Sequence, residues 1–144
     1  MGGELAQRDR LGEWLPLAFF SHSLSATEKK YSAFDRELLA MFLAVKHFRH
    51  YLEGRKFCIF TDHKPLTFAL TSSTDRSPRQ TRQLSYIAEF TGDVRHIKGE
   101  RNIVADALSR PAQLLPPRPM ICNASVPPMP AVDFAALALS LIHI

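Results

Sequence analysis

The chain has 144 residues, 46% of them hydrophobic and 22% charged, with a formal net charge of +4. That length allows one domain with a packed core plus a tail, and the mild positive charge tolerates a polyanionic partner without requiring one. Cys58 and Cys122 form neither a disulfide framework nor a metal spacing, which excludes a stapled secreted scaffold and favours a reducing intracellular compartment. The start Met1-Gly2-Gly3-Glu4 lacks the basic-then-apolar order of a signal peptide, and no apolar run approaches a membrane span. A soluble, intracellular protein with no membrane partner is expected, cytoplasm and nucleus being equally compatible.

In chain order, Gly2 to Gln7, the polar run Arg8 to Glu13 and Trp14 to Ser21 predict strand, turn, strand. Ser25-Ala26-Thr27-Glu28 has capping-box form and marks a helical turn. Phe34, Leu38, Met41, Val45, Phe48 and Leu52 follow at steps of three and four, which predicts one long amphipathic helix ended by Gly54. Glu37, near its start, projects from the flank of that stripe. Lys56 to Thr61 suits a buried strand, with Asp62 directly after it. In open α/β sheets the groups just beyond strand carboxyl ends face the ligand crevice. Pro65 opens a short helix through Leu70.

A loop over 71–75 precedes a helix from Pro78 to about Phe90, with Leu84, Ile87, Ala88 and Phe90 on its buried side. Arg76, Arg79 and Arg82 recur at a spacing of three, suited either to tracking a phosphate backbone or to a solvated helix face. A strand over Val94 to Ile97 turns at Gly99, and Asn102 caps a further helix in which Asp106 falls about one turn in. Seven of the ten prolines lie between Pro111 and Pro130, which marks a semi-extended linker. Val132 to Ile144 is apolar and compatible with a helix. The expected division is a domain over 1–110, a Pro-rich linker over 111–131, and an apolar tail over 132–144 that begins a following segment.

Three acids thus sit at comparable element ends: Glu37, Asp62 and Asp106. Each has an ordinary explanation: an acid favouring a helix dipole, a turn aspartate, a surface aspartate on a capped helix. Together they can converge on one divalent-cation site. Carboxylates on separate elements, with no thiol pair and no HExxH helix, favour magnesium over zinc.

The blocks Pro16-Leu17-Ala18-Phe19-Phe20-Ser21, Thr27-Glu28-Lys29-Lys30-Tyr31, Arg36-Glu37-Leu38-Leu39-Ala40, Phe60-Thr61-Asp62-His63-Lys64-Pro65-Leu66 and Gly99 to Arg110 carry a family resemblance. In that order and spacing they resemble the ribonuclease H domain that follows the polymerase in reverse transcriptases of gypsy-type LTR retrotransposons. The resemblance covers about Gly2 to Arg110. It implies an α/β, ribonuclease H-like mixed sheet with flanking helices, and hydrolysis of the RNA strand of RNA–DNA hybrids by two Mg²⁺ (or Mn²⁺) ions. It also implies Glu37, Asp62 and Asp106 as the second, third and fourth metal ligands. His96 stands where related enzymes carry His or Tyr near the scissile phosphate; a strand-end His facing solvent is the plain alternative. His63 is given no role.

The family's first strand, with its catalytic aspartate, is expected ahead of Met1. Its absence would leave the Lys56 to Thr61 strand short of one neighbour and impair catalysis in this fragment. The implied partners are an RNA–DNA hybrid and the polymerase domain of the same polyprotein. A non-catalytic remnant or domesticated binding module of the same fold is the alternative function. An integrase-like nuclease is disfavoured, because its acids would run Asp, Asp, Glu, whereas the order here is Glu, Asp, Asp.

Overall fold

A computed structural model describes residues 1–72, 75–99 and 107–108, together with the backbone of 137–142. Strands β1 (Gly2–Arg8) and β2 (Trp14–Ser21) form the expected antiparallel hairpin, from Gly2↔Ser21 to Arg8↔Trp14, with a register shift between Leu5 and Ala6. Its turn is built by Asp9, whose Oδ1 accepts from the amides of Leu11 (2.8 Å) and Glu13 (2.9 Å), and by Gly12 at φ +86°. A side chain at that φ would be strained, so glycine fits there. Ser25 and Glu28 make the reciprocal capping contacts before a 3-10 turn, Glu28–Lys30.

Helix α1 (Ala33–His47) begins at Ser32, whose hydroxyl accepts from the Asp35 amide. Its apolar stripe continues as read, but not in one piece. At Phe48 the backbone leaves helical geometry (ψ 9°) and a second short helix, α2 (Arg49–Leu52), follows before Gly54 at φ +74°. Phe48 is 1% exposed, and its ring sits edge-on to Phe20 (6.5 Å) and His47 (4.9 Å). The break coincides with the largest fully buried side chain of the core.

Strand β3 (Phe57–Thr61) alternates rather than being buried throughout: Phe57, Ile59 and Thr61 are buried, Cys58 and Phe60 half-buried. Burial pushes the free Cys58 thiol's pKa upward, with the nearby Arg95 charge opposing. Next come α3 (Lys64–Thr67) and α4 (Pro78–Ala88), the latter capped by Ser77 and Gln80 in a full capping box. Leu84 and Ile87 enter the core as expected and Phe90 packs against it, but Ala88 is exposed. Strand β4 (Val94–His96) runs parallel to β3.

The tail departs most from expectation. Instead of a helix, Leu137–Ile142 is a strand, β5, antiparallel to β1 and parallel to β3. The five strands lie in the order β2-β1-β5-β3-β4, a mixed sheet of ribonuclease H-like character on which α1 packs while also meeting α3 and α4. The neighbour that β3 was expected to lack is nevertheless present, supplied by β5. The core gathers Leu5, Leu38, Met41, Val45, Phe48, Leu52, Ile59, Leu66 and Ile87.

Glu4 sits in this sheet between Phe19 and Ser140, and burial raises its carboxyl above the usual range. A raised folded pKa means stability that is full below the unfolded value and lost as pH rises through the folded one. Glu4→Gln is therefore expected to melt roughly 2–4 °C higher than the parent at pH 7 and at the same temperature near pH 3, read by thermal denaturation at both values.

Candidate active site

Asp62 follows the last residue of β3, at the carboxyl end of the parallel part of the sheet. Its Oδ1 is buried and has no hydrogen-bond partner among the described residues. A buried carboxylate oxygen without a donor is costly in a closed fold, and it is the kind of atom a hard cation would satisfy. The backbone at Gly99 passes against the same carboxylate: a methyl placed there would lie 3.8 Å from Asp62 Oδ2. That approach follows from the ladder, which extends past β4 through the Ile97 amide donating to the Thr61 carbonyl at 2.9 Å. His96 pairs with Thr61, one strand away from the residue before Asp62, and is exposed.

Glu37 lies on α1 at the flank of its apolar stripe and is 4% exposed, so the flank is covered and not open to solvent. One turn earlier on the same helix face, Phe34 places its ring 6.0 Å from that of His63, the residue after Asp62. The first turn of α1 is thereby brought beside His63, the residue after Asp62. Asp106 and its cap Asn102 lie outside the described residues. Of the expected helix, Ala107 and Leu108 are helical, and the Ser21 hydroxyl donates to the Leu108 carbonyl at 3.0 Å, fixing them at the end of β2. Among the described residues no three His, Cys, Asp or Glu side chains form a metal-holding group. Asp106 is not among those residues.

His63 escaped the sequence reading, where only its adjacency to Asp62 marked it. Its amide donates to the Thr61 hydroxyl at 3.2 Å, and its Nε2 is buried with no partner among the described residues. Desolvation lowers its pKa, with the Asp62 charge pulling the other way. Asp35 was likewise passed over. Burial pushes its carboxyl upward, but hydrogen bonds from Ser32, Gln80 and Arg79, with the Arg79 charge, outweigh that and hold it below the usual range.

This contact joins the first turns of α1 and α4: Gln80 Nε2 donates to Asp35 Oδ1 at 2.8 Å, Arg79 reaches the same oxygen at 3.2 Å, and the Arg79 guanidinium stacks on Tyr31 at 4.0 Å. Arg79 is thus committed to the protein itself. Arg76 donates to the Ser72 hydroxyl at 2.6 Å, and Arg82 is exposed. Asp35→Ala should cost about 1–2 kcal/mol, the pair being partly solvent-screened, as read by urea denaturation at pH 7. Because the Asp35 pKa is depressed, that difference should shrink as pH falls below about 4.

A cleft of about 600 Å³ between α3 and α4 includes Arg76, Asp75 and Leu84 in its wall but neither Glu37 nor Asp62. It lies apart from the acids. No described helix is long and apolar enough to cross a membrane.

A mixed sheet with an acid at the carboxyl end of a parallel strand and a buried acid on the first long helix is the framework of a ribonuclease H-like domain. Residues 1–90 match the family described as "RNase H-like domain found in reverse transcriptase". The Retrovirus-related Pol polyprotein from transposon 297 of Drosophila melanogaster is 43% identical over 95 residues, 66% of this chain and 9% of that protein. The corresponding polyprotein from transposon opus of the same species is 34% identical over 139 residues, 96% of this chain and 13% of that protein. The Transposon Tf2-3 polyprotein of Schizosaccharomyces pombe (strain 972) is 33% identical over 113 residues, 76% of this chain and 8% of that protein. No solved structure matches. The chain belongs to the RNase H-like domains found in reverse transcriptases and is related to Ty3/gypsy retrotransposon Pol polyproteins, of whose length it spans about a tenth.

Proposed function

We propose that this domain acts on the RNA strand of RNA–DNA hybrids as the ribonuclease H part of a retrotransposon reverse transcriptase, alongside a polymerase domain of the same polyprotein. Glu37, Asp62 and Asp106 would hold two Mg²⁺ (or Mn²⁺) ions. When bound, such a pair supplies a water deprotonated near neutral pH and charge neutralisation at the leaving oxygen. The observation that carries the reading is the orphaned Oδ1 of Asp62, whose neighbour His63 meets Phe34, one turn before Glu37 on α1.

His96, across the ladder from Thr61, would meet a phosphate near that carboxylate and assist a proton transfer or product release. Of Arg76, Arg79 and Arg82, exposed Arg82 would follow the hybrid backbone with Arg76 beside it, whereas Arg79, held by Asp35 and Tyr31, would serve to fix the helix that carries them. Recognition would rest on duplex shape and 2′-hydroxyls, so sequence preference is slight and affinity falls steeply with salt.

A second reading, a binding module with impaired turnover, is favoured by β5. The strand beside β3 is Leu-Ala-Leu-Ser-Leu-Ile and contributes no carboxylate to the site. A magnesium titration of the full chain followed by NMR tests the metal assignment common to both readings. Resonances of Glu37, Asp62 and Asp106 should shift together and saturate in the millimolar range. Shifts scattered over other surface acids, or none at these three, would sink it.

A further inference from the structure

The strand that joins the two halves of the sheet comes from the far end of the chain. β5 pairs with β1 from Gly2↔Ile142 to Gln7↔Leu137, and with β3 from Phe57↔Leu137 to Phe60↔Ser140. In the sheet order β1 and β3 each neighbour β5 and not one another. Without β5, two rows of backbone N–H and C=O groups would face a gap one strand wide, about two interstrand spacings of 4.8 Å. Leu5 and Ile59, level with Leu139 on the two walls, are both 0% exposed. A gap with core residues along its walls and unmatched backbone groups at its edges recognises an extended segment, the ladders giving affinity and the two walls fixing register.

We propose that this gap is a strand-acceptor site and that its occupant, Leu137–Ile142, is exchangeable for the same segment of a second copy of the chain. The occupant has no proline, whereas the stretch from Pro111 to Pro130 holds seven, so that stretch is poorly suited to a slot bonded on both sides. Residues 109–136 separate the occupant from the preceding described helical residues and can span up to about 90 Å when fully extended. With a connection of that reach, the walls select a strand by its pairing and not by the molecule that delivers it. The hairpin β1–β2 assembles from neighbours in sequence, while β5 must arrive from a distance.

Tethering opposes exchange, since a segment joined to its own gap within one chain meets it at an effective concentration of about the millimolar range. The self-paired form therefore dominates in dilute solution. Exchange appears when the chain refolds near that concentration or when its own segment is disabled, and reciprocal exchange closes as a two-fold dimer. None of this depends on whether the acids bind metal.

The test uses the full chain carrying Leu139→Pro, which removes one backbone amide donor in the middle of the strand and sets a ring against its ladder, and a fluorescent peptide of residues 133–144. The variant should bind the peptide one to one, at least roughly 100-fold tighter than the unmodified chain does, because the tethered competitor is gone. The backbone amides of β1 and β3 that face the gap should regain slow hydrogen exchange on binding, while the Ile59 amide, which donates to the Asp93 carbonyl on the other side of β3, serves as the internal control. A folded variant that ignores the peptide, or binds it no better than the parent, overturns the proposal. If the variant folds only when the peptide is added, that rescue supports it. If the peptide does not rescue it, the unmodified chain decides: refolding near 1 mM followed by dilution should leave dimer that refolding at 1 μM does not, and monomer at both concentrations overturns the proposal.

Discussion

Asp62→Asn is expected to erase the rise in melting temperature that magnesium gives the unmodified chain. A ligand that binds only the folded state stabilises it by RT ln(1 + [L]/Kd), about 1.4 kcal/mol at ten times Kd, which is roughly 5 °C for a domain of this size. Asparagine keeps the side-chain shape and removes the charge, so any lost response reports the carboxylate and not the packing. Oδ1 of Asp62 is the atom at issue, since it is buried without a donor and offers a cation a ready ligand. Asp93→Asn is the control, because that acid is committed to Arg95 at 2.7 Å on the surface. A full thermal response in Asp62→Asn would place the ion elsewhere. On the second reading, cleavage of a labelled RNA–DNA hybrid should stay near background in both proteins, given the uncharged strand beside β3. Magnesium-dependent cleavage by the parent that Asp62→Asn abolishes would overturn the impaired-turnover reading while keeping the metal assignment.

The hairpin, α1 and α4 were legible because each is specified by neighbours in sequence: Asp9 and Gly12 make the turn, a three-and-four stripe makes the helix face, Ser77 and Gln80 make the cap. The position of Asp62 at a strand's end was legible for the same reason. What local pattern does not encode is pairing across distance. Leu137–Ile142 reads as an apolar run that a helix or a strand would suit equally, and only the two edges waiting for it decide. Arg79 looks like one of three solvent arginines until Asp35 and Tyr31, more than forty residues earlier, are brought against it. Glu37 flanks its stripe as read, but a helical wheel shows direction and not what lies opposite, and it is buried. Asp106, the third acid, lies outside the described residues, so the convergence of all three is tested by the titration and not by the fold.

Phe48→Ala should be the most damaging single change in the core, costing about 3–5 kcal/mol as measured by urea denaturation. The ring is 1% exposed and stands at the junction of α1 and α2, packed edge-on against Phe20 of β2 and against His47. Truncation removes the transfer energy of a whole aromatic side chain and leaves a void bounded by a helix break on one side and a strand on the other. Neither wall can close it cheaply, because β2 is held in register by β1 and α1 is held by α4 through Asp35. Small domains are stable by only 5–15 kcal/mol, so a loss of this size should leave a substantial unfolded fraction at 37 °C. Phe48→Leu retains most of the volume and should cost less than half as much. A Phe48→Ala chain within about 1 kcal/mol of the parent would mean that the ring is not the keystone of the α1–β2 contact, and that the break at Phe48 has another cause.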